Sequence, residues 1–369
     1  MHYLFFMNTP AHVHLYKHAV RRLRGRGHET SILARDYGCT RQLLDWEGLS
    51  HTVYGRCGTD RRSLFTNLPA HYLRIARTVR RLDPDLVFGM GAYGAHAGLL
   101  SRTPSVLVLD SEPTSLDHTV STPFARAILT PAAFRKNLGA DHYTFDGFKE
   151  SAYLHPSAFE HDPTIRADLD VGPAEPYVVV RLNAFGSHHD VGEGGFGPGT
   201  RESLIERLAE HATVFVSDED GSLDLSALPA RTFDLHPGRI HGALAEASLL
   251  VADTQTMVTE AALLGTPAIR SNSFVGDNDM GNFQELAAAG LVINVADPET
   301  VSEEAVSLLA DPNTGRAWRE RRDDYVADMV DLTSVLVDVA ESPDAIETVP
   351  GLTPARPRSE RARSPQHVR

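Results

Sequence analysis

The sequence predicts an α/β protein of two domains, each built on a mainly parallel β-sheet. Short apolar runs alternate with stretches of helical period along most of the chain, and this alternation is typical of parallel sheets with right-handed crossovers. The chain has 369 residues, 42% of them hydrophobic, which is enough for two cores of ordinary size. A polar, proline-rich stretch at residues 156–176 separates two series of strands and helices.

Residues 1–155 form the predicted N-terminal domain. Its first strand is followed by a helical apolar stripe of Leu15, Ala19, Val20 and Leu23. The predicted strands are Tyr3–Met7, Thr30–Ala34, His51–Tyr54, Leu86–Gly89, Ser105–Leu109, Ala127–Thr130 and His142–Phe145.

Residues 156–176 are the predicted linker, and residues 177–342 form the predicted C-terminal domain. Its predicted strands are Tyr177–Leu182, Thr213–Ser217, Arg231–Leu235, Leu249–Ala252, Pro267–Arg270 and Leu291–Asn294. Residues 343–369 are rich in Pro, Ser and Arg, so a disordered tail is predicted there.

The composition excludes several classes of protein. A formal charge of −14 argues against a nucleic-acid partner. Almost all the positive charge is Arg rather than Lys, which indicates either a halophilic protein or GC-rich coding. Two cysteines exclude a disulfide framework and fit the cytoplasm. No apolar run approaches the roughly 18–20 residues of a membrane span, so at most peripheral contact with the inner face of the membrane is expected.

Thr254, Gln255 and Thr256 follow an apolar strand and lead into a helix that carries Glu260. Open α/β sheets bind ligands at the carboxyl ends of their strands, and a helix N-terminus there favours a phosphate. With Thr256 as N-cap, Glu260 falls outside the capping-box position. We therefore interpret Glu260 as a ligand of two ribose hydroxyls; the alternative is an ordinary capped helix closed by Gly265.

Arg181 and Asn183 end the first strand of the second domain, where an Arg could clamp a diphosphate. A structural ion pair is the alternative for Arg181. A metal site could be suggested by the run His188-His189-Asp190 or by the acidic groups at 218–220 and 277–279. Adjacent His residues rarely share one ion, and acidic loops are ordinary on an acidic protein, so no metal site is predicted.

In the first domain, Thr9 suits an N-cap and Pro10 the first helical position, which places His12 in the first turn beside Asn8. A helix N-terminus lowers a His pKa, so His12 is a candidate general base. A solvated or hydrogen-bonded His on an ordinary capped helix is the alternative.

Two further loops of this domain are candidates for a cleft. A glycine-rich turn contains Gly91 and is followed by Tyr93 and His96. Such a turn would let the backbone approach a ligand closely. The alternative is an ordinary tight strand–helix turn. Asp110 and Glu112 follow a strand and are acid/base candidates, with turn and capping roles as the alternative.

Six segments in order resemble a prokaryotic family known as domain of unknown function 354: NTPAHVHLYKHAVRRLRGRGHE, PDLVFGMGAYGAHAG, ILTPAAFRKNLG, FDGFKESAYLHP, YVVVR and TEAALLGTPAI. The family is similar to GT-B glycosyltransferases and to the non-hydrolysing UDP-N-acetylglucosamine 2-epimerases. The resemblance implies a GT-B-like fold, with two Rossmann-like domains whose parallel sheets face a central cleft. It also implies that residues 1–155 form the acceptor domain and residues 177–342 the nucleotide-sugar donor domain.

The resemblance also implies roles for residues. Thr254, Gln255, Thr256 and Glu260 match the donor-nucleotide segment of both relatives, and Arg181 matches a position near the diphosphate. Gln255-Thr256 stands where those relatives carry a Gly-Gly or Ser-Gly pair. The run Asn8–His12 replaces the Gly-Thr-Arg-Pro-Glu of the epimerases, which argues against a standard 2-epimerase.

The expected function is a glycosyltransferase that transfers a sugar from a nucleotide-sugar donor to a glycan or lipid-linked acceptor in surface polysaccharide or glycoprotein glycan biosynthesis. The nucleotide-sugar is the substrate, and no cofactor or metal is required. One alternative is a sugar-nucleotide 2-epimerase that uses carboxylates such as Asp110 and Glu112. Another is a non-catalytic, nucleotide-sugar-binding component of a glycan-assembly complex.

Overall fold

The computed structural model describes residues 1–56, 61–182, 195–219, 221, 223–276 and 279–355. They divide into two compact units. The first contains residues 1–56, 65–152 and 330–355, and the second contains residues 61–64 and the described part of residues 153–329. Each unit holds one sheet of mainly parallel strands, as predicted.

The first unit forms around apolar strands that are buried along their whole length, such as β4 (Leu86–Gly89) and β5 (Ser105–Val108). Strands buried on both faces are typical of parallel sheets covered by helices on each side. The strands of this unit are β1 (His2–Met7), β2 (Glu29–Asp36), β3 (Thr52–Arg56), β4 (Leu86–Gly89), β5 (Ser105–Val108), β6 (Ala127–Pro131), β7 (His142–Phe145) and β14 (Thr353–Pro354). Their order is β14-β7-β6-β5-β4-β1-β2-β3, in which only β14 runs antiparallel to its neighbour.

Helix α1 (Pro10–Gly25) packs its apolar face on this sheet. Its predicted stripe of Leu15, Ala19, Val20 and Leu23 is fully buried, and each such Leu or Val contributes about 1.5–3 kcal/mol. The helices of the first unit are α1 (Pro10–Gly25), α2 (Thr40–Trp46), α3 (Arg61–Leu82), α4 (Ala92–Ser101), α5 (Ser115–Ser121) and α14 (Leu332–Glu341), and the chain leaves the unit within α6 (Ser151–Leu154).

The second unit is built in the same way on a shorter sheet. Its strands are β8 (Tyr177–Leu182), β9 (Thr213–Asp218), β10 (Arg231–Thr232), β11 (Leu249–Ala252), β12 (Ala268–Arg270) and β13 (Ile293–Asn294). They are all parallel, in the order β10-β9-β8-β11-β12-β13. Its helices are α7 (Ile165–Asp168), α8 (Pro198–Ala209), α9 (Ile240–Glu246), α10 (Thr256–Leu264), α11 (Gly281–Ala288), α12 (Val301–Ala310) and α13 (Thr314–Val326).

The C-terminal segment differs from the prediction. Residues 330–342, which we assigned to the second domain, belong to the first unit, because α14 packs against α1 and Tyr3 donates a hydrogen bond to the Ala340 carbonyl at 3.0 Å. The predicted disordered tail is wrong for residues 343–355. Ile346 is fully buried there, and Thr353 pairs with Thr144 of β7.

The predicted linker also contains ordered structure. Ile165 on α7 is fully buried, and α7 packs against α9 in the second unit. Residues 156–176 therefore begin the second unit in the structure. Among the helices that the structure describes, none combines the length and apolarity needed to cross a membrane.

Candidate functional site

The strand order of the second unit reverses direction between β8 and β11, since β9 and β10 lie on one side and β12 and β13 on the other. The crevice at such a switch point is where open α/β sheets bind ligands. Ala252 at the end of β11 pairs with Arg181 on β8, and the Asp253 N–H donates to the Arg181 carbonyl at 3.3 Å. The fold therefore brings the Arg181 backbone next to the predicted donor segment, Thr254–Thr256.

The helix α10 begins one residue earlier than predicted. Gln255 is its N-cap, because the N–H groups of Val258 and Thr259 both bond to the Gln255 carbonyl at 3.2 Å. Thr256, predicted to be the N-cap, is instead the first helical residue. The Gln255 side chain makes no capping hydrogen bond, and the helix closes at Gly265 with φ of +76°, as predicted.

Two buried hydroxyl oxygens lie on or beside the segment that leads into this helix. Within the described residues, Thr254 Oγ1 and Ser271 Oγ are buried without a hydrogen-bond partner. Ser271 lies beside the segment, since its N–H bonds to the Ala252 carbonyl at 3.0 Å, and the Asn272 amide bonds to the Asp253 carbonyl at 3.0 Å. A buried polar group that lacks a partner costs about 1–3 kcal/mol, so these atoms indicate a place where a polar ligand or water is held.

Glu260 lies deeper than its predicted role suggests, with only 3% of its surface exposed. Its Oε1 accepts a hydrogen bond from the Tyr153 hydroxyl at 2.8 Å and lies 3.0 Å from His241 Nε2. Neither contact involves Oε2. Tyr153 and His241 were not recognised in the sequence, because they lie 107 and 19 residues away from Glu260 along the chain.

Arg181 forms the kind of structural ion pair that we weighed as its alternative. Its Nη1 donates to Ser217 Oγ at 2.7 Å and its Nη2 to Glu219 Oε2 at 2.9 Å, both groups on or just after β9. About a fifth of the side chain is exposed, 22%. A diphosphate at this position would compete with Glu219 for the guanidinium. The companion residue Asn183 lies outside the described residues.

A buried cation also stands at this edge of the sheet. Arg270 at the end of β12 is fully buried, forms an ion pair with Asp279, and lies 3.7 Å from the ring centroid of Phe283. Its Nε donates to Asn294 Oδ1 at 3.0 Å, while Nη1 has no partner in the described part of the chain. The sequence pattern alone indicated only an ordinary acidic loop at Asp279.

No group of three potential metal ligands occurs in the described ranges. Several residues weighed as metal ligands lie outside these ranges, namely His188, His189, Asp190, Asp220, Asp277 and Asn278. Asp218 accepts a hydrogen bond from the Leu223 N–H at 2.9 Å, which is an ordinary turn contact.

The first unit has its switch point between β1 and β4, and Asn8 and His12 follow β1. Thr9 and Pro10 begin α1 as predicted. The Asn8 N–H donates to His12 Nδ1 at 3.2 Å, so Nδ1 is an acceptor and Nε2 carries the proton of the neutral ring. Burial, reinforced by the charges of Arg35 and Lys149, lowers the pKa of His12 to about 3. A neutral ring of this tautomer is suited to donate a hydrogen bond through Nε2.

The carboxylate of Asp110 is held in a buried charge cluster that we did not predict. Lys149 forms ion pairs with Asp110 and, at 2.9 Å, with Glu150. Burial alone would lower the pKa of Lys149, but the two carboxylates raise it above its ordinary value, so the ammonium stays charged. Glu112 is engaged elsewhere, since its Oε1 accepts the Arg135 N–H at 3.2 Å.

The glycine-rich loop has a packing role in the structure. Gly91 caps α4 with φ of +82°, and the carboxylate of Asp117 accepts the Ala92 N–H at 3.1 Å. A Cβ on Gly91 would lie 2.4 Å from an oxygen of Asp117, so the glycine makes room for that carboxylate. The carboxylate of Asp117 therefore occupies the N-terminus of α4.

Tyr93 and His96 are parts of an aromatic cluster. The Tyr93 hydroxyl lies 3.0 Å from His71 Nδ1, and the Tyr72 hydroxyl lies 2.7 Å from His96 Nδ1. His96 Nε2 lies 2.7 Å from the Val120 carbonyl, so that nitrogen donates and the ring is neutral when Nδ1 accepts. These contacts account for both side chains without a ligand.

One signal in the sequence could have identified Lys149. The chain contains three lysines, Lys17, Lys136 and Lys149. Lys136 donates to the Glu112 carbonyl at 2.5 Å, and Lys149 pairs with Asp110. Two of the three lysines in an Arg-dominated chain thus lie beside the predicted carboxylates.

Solved structures with the same architecture define the class of this protein. A putative UDP-N-acetylglucosamine 2-epimerase from Listeria monocytogenes matches with a TM-score of 0.67 and 13% identity, over 96% of this chain and 99% of that one. The UDP-GlcNAc 2-epimerase from Neisseria meningitidis bound to UDP-GlcNAc matches with a TM-score of 0.65 and 12% identity, over 93% and 100%. The spinosyn rhamnosyltransferase SpnG complexed with spinosyn aglycone matches with a TM-score of 0.61 and 15% identity, over 92% and 99%. The chain therefore has a GT-B fold, which confirms the predicted fold class.

The particular family follows from the sequence itself. The chain belongs to the family described as "Protein of unknown function (DUF354)", which it matches over residues 3–339. No curated protein matches the chain by sequence. The family resemblance predicted from the six motifs is confirmed.

Proposed function

We propose that the chain is a GT-B glycosyltransferase whose second unit binds a nucleotide-sugar. The observation that supports this most is the start of α10 at the β8–β11 switch point, which has no side-chain cap and lies beside the buried hydroxyls of Thr254 and Ser271. A helix N-terminus attracts phosphate, and hydroxyl groups can bond the hydroxyls of a sugar. Two solved structures of this fold, S. aureus MnaA and the N. meningitidis epimerase, contain UDP and UDP-GlcNAc, respectively.

The leaving diphosphate would be stabilised by backbone N–H groups of Gln255 and Thr256, with Arg181 released from Glu219 to join them. Donors aimed at the developing charge typically provide the largest single contribution to catalysis. Glu260 contacts the ribose. On the first unit, His12 and the Asp110–Lys149 pair provide the groups that would contact the acceptor, a glycan or a lipid-linked sugar.

A ligand screen by thermal shift tests the donor site directly. UDP, ADP, GDP, CDP and TDP are added at 1 mM, and at 100-fold excess over Kd a true ligand adds about 2.7 kcal/mol, a rise of several degrees in Tm. Glu260→Ala should reduce the rise to half or less, because affinity weakened about tenfold or more leaves a gain of about 1.4 kcal/mol or less. Glu246→Ala, which removes a carboxylate from α9 outside this site, should keep it. If none of the five raises the Tm of the wild type, a nucleotide-dependent function is refuted.

A sugar-nucleotide 2-epimerase is the second candidate, and one observation favours it. The carboxylates Asp110 and Glu150 share the buried Lys149 in the first unit, and paired carboxylates are suited to acid/base chemistry at a sugar carbon. Incubation with UDP-GlcNAc alone decides between the candidates. A 2-epimer formed without acceptor supports the epimerase, and nucleotide released only with an acceptor supports the transferase. Nucleotide binding without either reaction would indicate a non-catalytic component.

A further inference from the structure

Most of the large hydrophobic side chains that are exposed in the described part of the chain lie on one side of the first unit. Five of the eight are on α3, α4, α5 and the 3₁₀ turn Thr122–Phe124 that follows α5. They are Leu73 (51% exposed), Leu99 (54%), Leu116 (78%), Val120 (38%) and Phe124 (44%). Single exposed hydrophobic residues are ordinary on a protein surface, whereas a group of them indicates an interaction surface.

Contacts between the rings show that these elements form one surface. Tyr72 of α3 packs with His96 of α4 at a centroid distance of 5.6 Å, and His96 packs with Phe124 at 5.4 Å. His96 Nε2 also donates to the Val120 carbonyl of α5 at 2.7 Å. The other exposed side chains are adjacent in sequence or one helical turn away, namely Leu73 beside Tyr72, Leu99 after His96 and Leu116 before Val120. We call the surface of these five exposed side chains the α3–α5 face.

The charge around the α3–α5 face is opposite in sign to that of the whole protein. Residues 65–82 of α3 contain four arginines and no acidic residue, in a chain whose formal charge is −14. Arg77, Arg80 and Arg81 are exposed, and none of them pairs with a carboxylate that the structure describes. On α4, α5 and the 3₁₀ turn, the single acidic residue is Asp117, which accepts the Ala92 N–H at 3.1 Å. The face is therefore apolar with a cationic border.

We propose that the α3–α5 face binds the surface of an anionic lipid bilayer. Leucine and phenylalanine side chains insert at the boundary of the lipid chains, while arginines contact the negatively charged headgroups. The net charge of the chain does not prevent this, because at 0.1 M salt charges more than about 10 Å from the membrane surface are largely screened. The proposal is independent of the donor site proposed for the second unit, so the failure of either leaves the other intact.

Two other occupants fit the α3–α5 face less well. In a twofold contact between copies of the chain, the same surface faces itself, so arginines would meet arginines with Asp117 as the one carboxylate on these elements. A nucleic acid would neutralise the arginines but would leave the aliphatic side chains of the face in water. An anionic bilayer satisfies both the charge and the apolar surface.

Flotation of the full-length protein with lipid vesicles tests the proposal. Vesicles of phosphatidylcholine are compared with vesicles of equal parts phosphatidylglycerol and phosphatidylcholine, both in 0.1 M KCl. We expect partition into the anionic vesicles to be at least tenfold higher. Equal partition into both kinds of vesicle, or flotation with neither, would overturn the proposal.

A charge variant tests whether this face makes the contact. Replacing Arg77, Arg80 and Arg81 by Gln should weaken partition into the anionic vesicles about 100-fold, since each arginine near such a surface corresponds to about fivefold. The matched control replaces three exposed arginines of the second unit by Gln, namely Arg207, Arg316 and Arg319. It removes the same charge and should bind like the wild type. Equal losses in the two triple variants would show that net charge rather than this face governs binding.

An apolar variant separates insertion into the bilayer from the other occupants. Leu99→Ser with Leu116→Ser should weaken partition at least tenfold, and Tm should change little because both side chains are more than half exposed. The control Trp46→Ser removes an exposed apolar side chain from α2 and should keep binding. Wild-type binding by the leucine variant would overturn the proposal. So would light scattering that shows a wild-type dimer which the leucine variant converts to monomers, because the face would then be a contact between copies.

Discussion

At the scale of single residues, burial decides what His12 can do. Its pKa is lowered to about 3 by burial together with the charges of Arg35 and Lys149, partly opposed by Asp110. A general base acts best when its pKa is near the working pH, so His12 is a weak base at pH 7. Its tautomer, set by the Asn8 N–H, favours donation of a hydrogen bond to an acceptor oxygen instead.

The same shift predicts a pH dependence of stability. The folded pKa of His12 lies below the unfolded value of about 6.5, so between pH 6.5 and 3 the unfolded chain binds more protons and acid destabilises the fold. Between pH 7.5 and pH 5, the titration of His12 lowers the free energy of unfolding by about 2 kcal/mol. His12→Asn keeps an acceptor for the Asn8 N–H but has no titratable group at this position. We expect its free energy of unfolding in urea to fall between pH 7.5 and pH 5 by about 2 kcal/mol less than that of the wild type. Parallel losses would show that the pKa of His12 is the same in the folded and unfolded states.

Lys149 is a second residue whose charge has a calculable consequence. Removing one partner of a buried ion pair leaves an uncompensated charge and costs about 3–5 kcal/mol. Lys149→Met should therefore destabilise the protein by about that amount in denaturant unfolding, and adding Asp110→Asn should recover part of the loss. The control is Lys17→Met. Lys17 pairs with Glu47, and Glu47 also pairs with Arg21 at 2.6 Å, so its charge stays compensated and the loss of stability should be smaller. Equal losses in the single and double variants would contradict the coupling.

At the scale of elements, α14 shows how a late segment completes an early one. Arg22 on α1 donates to Asp331 at 2.9 Å and to Ser334 at 2.7 Å, and Thr333 donates to the Ala152 carbonyl at 2.7 Å. Leu336 is fully buried in the first unit. The stability of this unit therefore depends on residues far along the chain from its own sheet.

A cavity in α14 should destabilise the first unit selectively. Leu336→Ala is expected to cost about 2–5 kcal/mol. The two tryptophans report on different units, since Trp46 is on α2 and Trp318 on α13. Each tryptophan is followed by fluorescence in a denaturant titration with the other replaced by Phe. In the Trp318→Phe background, Leu336→Ala should shift the transition of Trp46 to a lower denaturant concentration. In the Trp46→Phe background, it should leave the transition of Trp318 unchanged. Equal shifts of both would mean that α14 supports the second unit as well.

The sequence predicted elements better than it predicted partners. Apolar runs bounded by Gly, Pro or Asp gave β4, β7, β8 and β11 with the bounds that the structure has, because short buried strands depend on local composition. The α14 segment was assigned to the wrong unit, since an amphipathic helix does not specify which sheet it covers. Of the candidate site residues, Arg181 lies near the end of β8 and Thr254 just after β11, as the strand pattern predicted. The bonds of Glu260 to Tyr153 and His241 connect distant parts of the chain, which no local pattern encodes.

At the scale of the whole molecule, the dominant electrostatic fact is a formal charge of −14, from 35 basic and 49 acidic residues. Self-repulsion of this kind destabilises the folded state and is screened by salt, since the Debye length falls from about 10 Å at 0.1 M to about 3 Å at 1 M. The proposed adaptation to high salt therefore predicts that KCl stabilises the protein.

We expect Tm to rise by about 3–5 °C between 0.1 M and 1 M KCl, which corresponds to a gain of about 1–2 kcal/mol for units of this size. Glu303, Asp324 and Asp328 are exposed, and the triple variant Glu303→Gln, Asp324→Asn, Asp328→Asn removes three negative charges. This variant should start from a higher Tm at 0.1 M and gain less from KCl, because less repulsion remains to be screened. If wild type and variant respond alike, or if KCl lowers Tm, then the acidic surface does not limit stability and the arginine-rich composition has another origin, such as GC-rich coding.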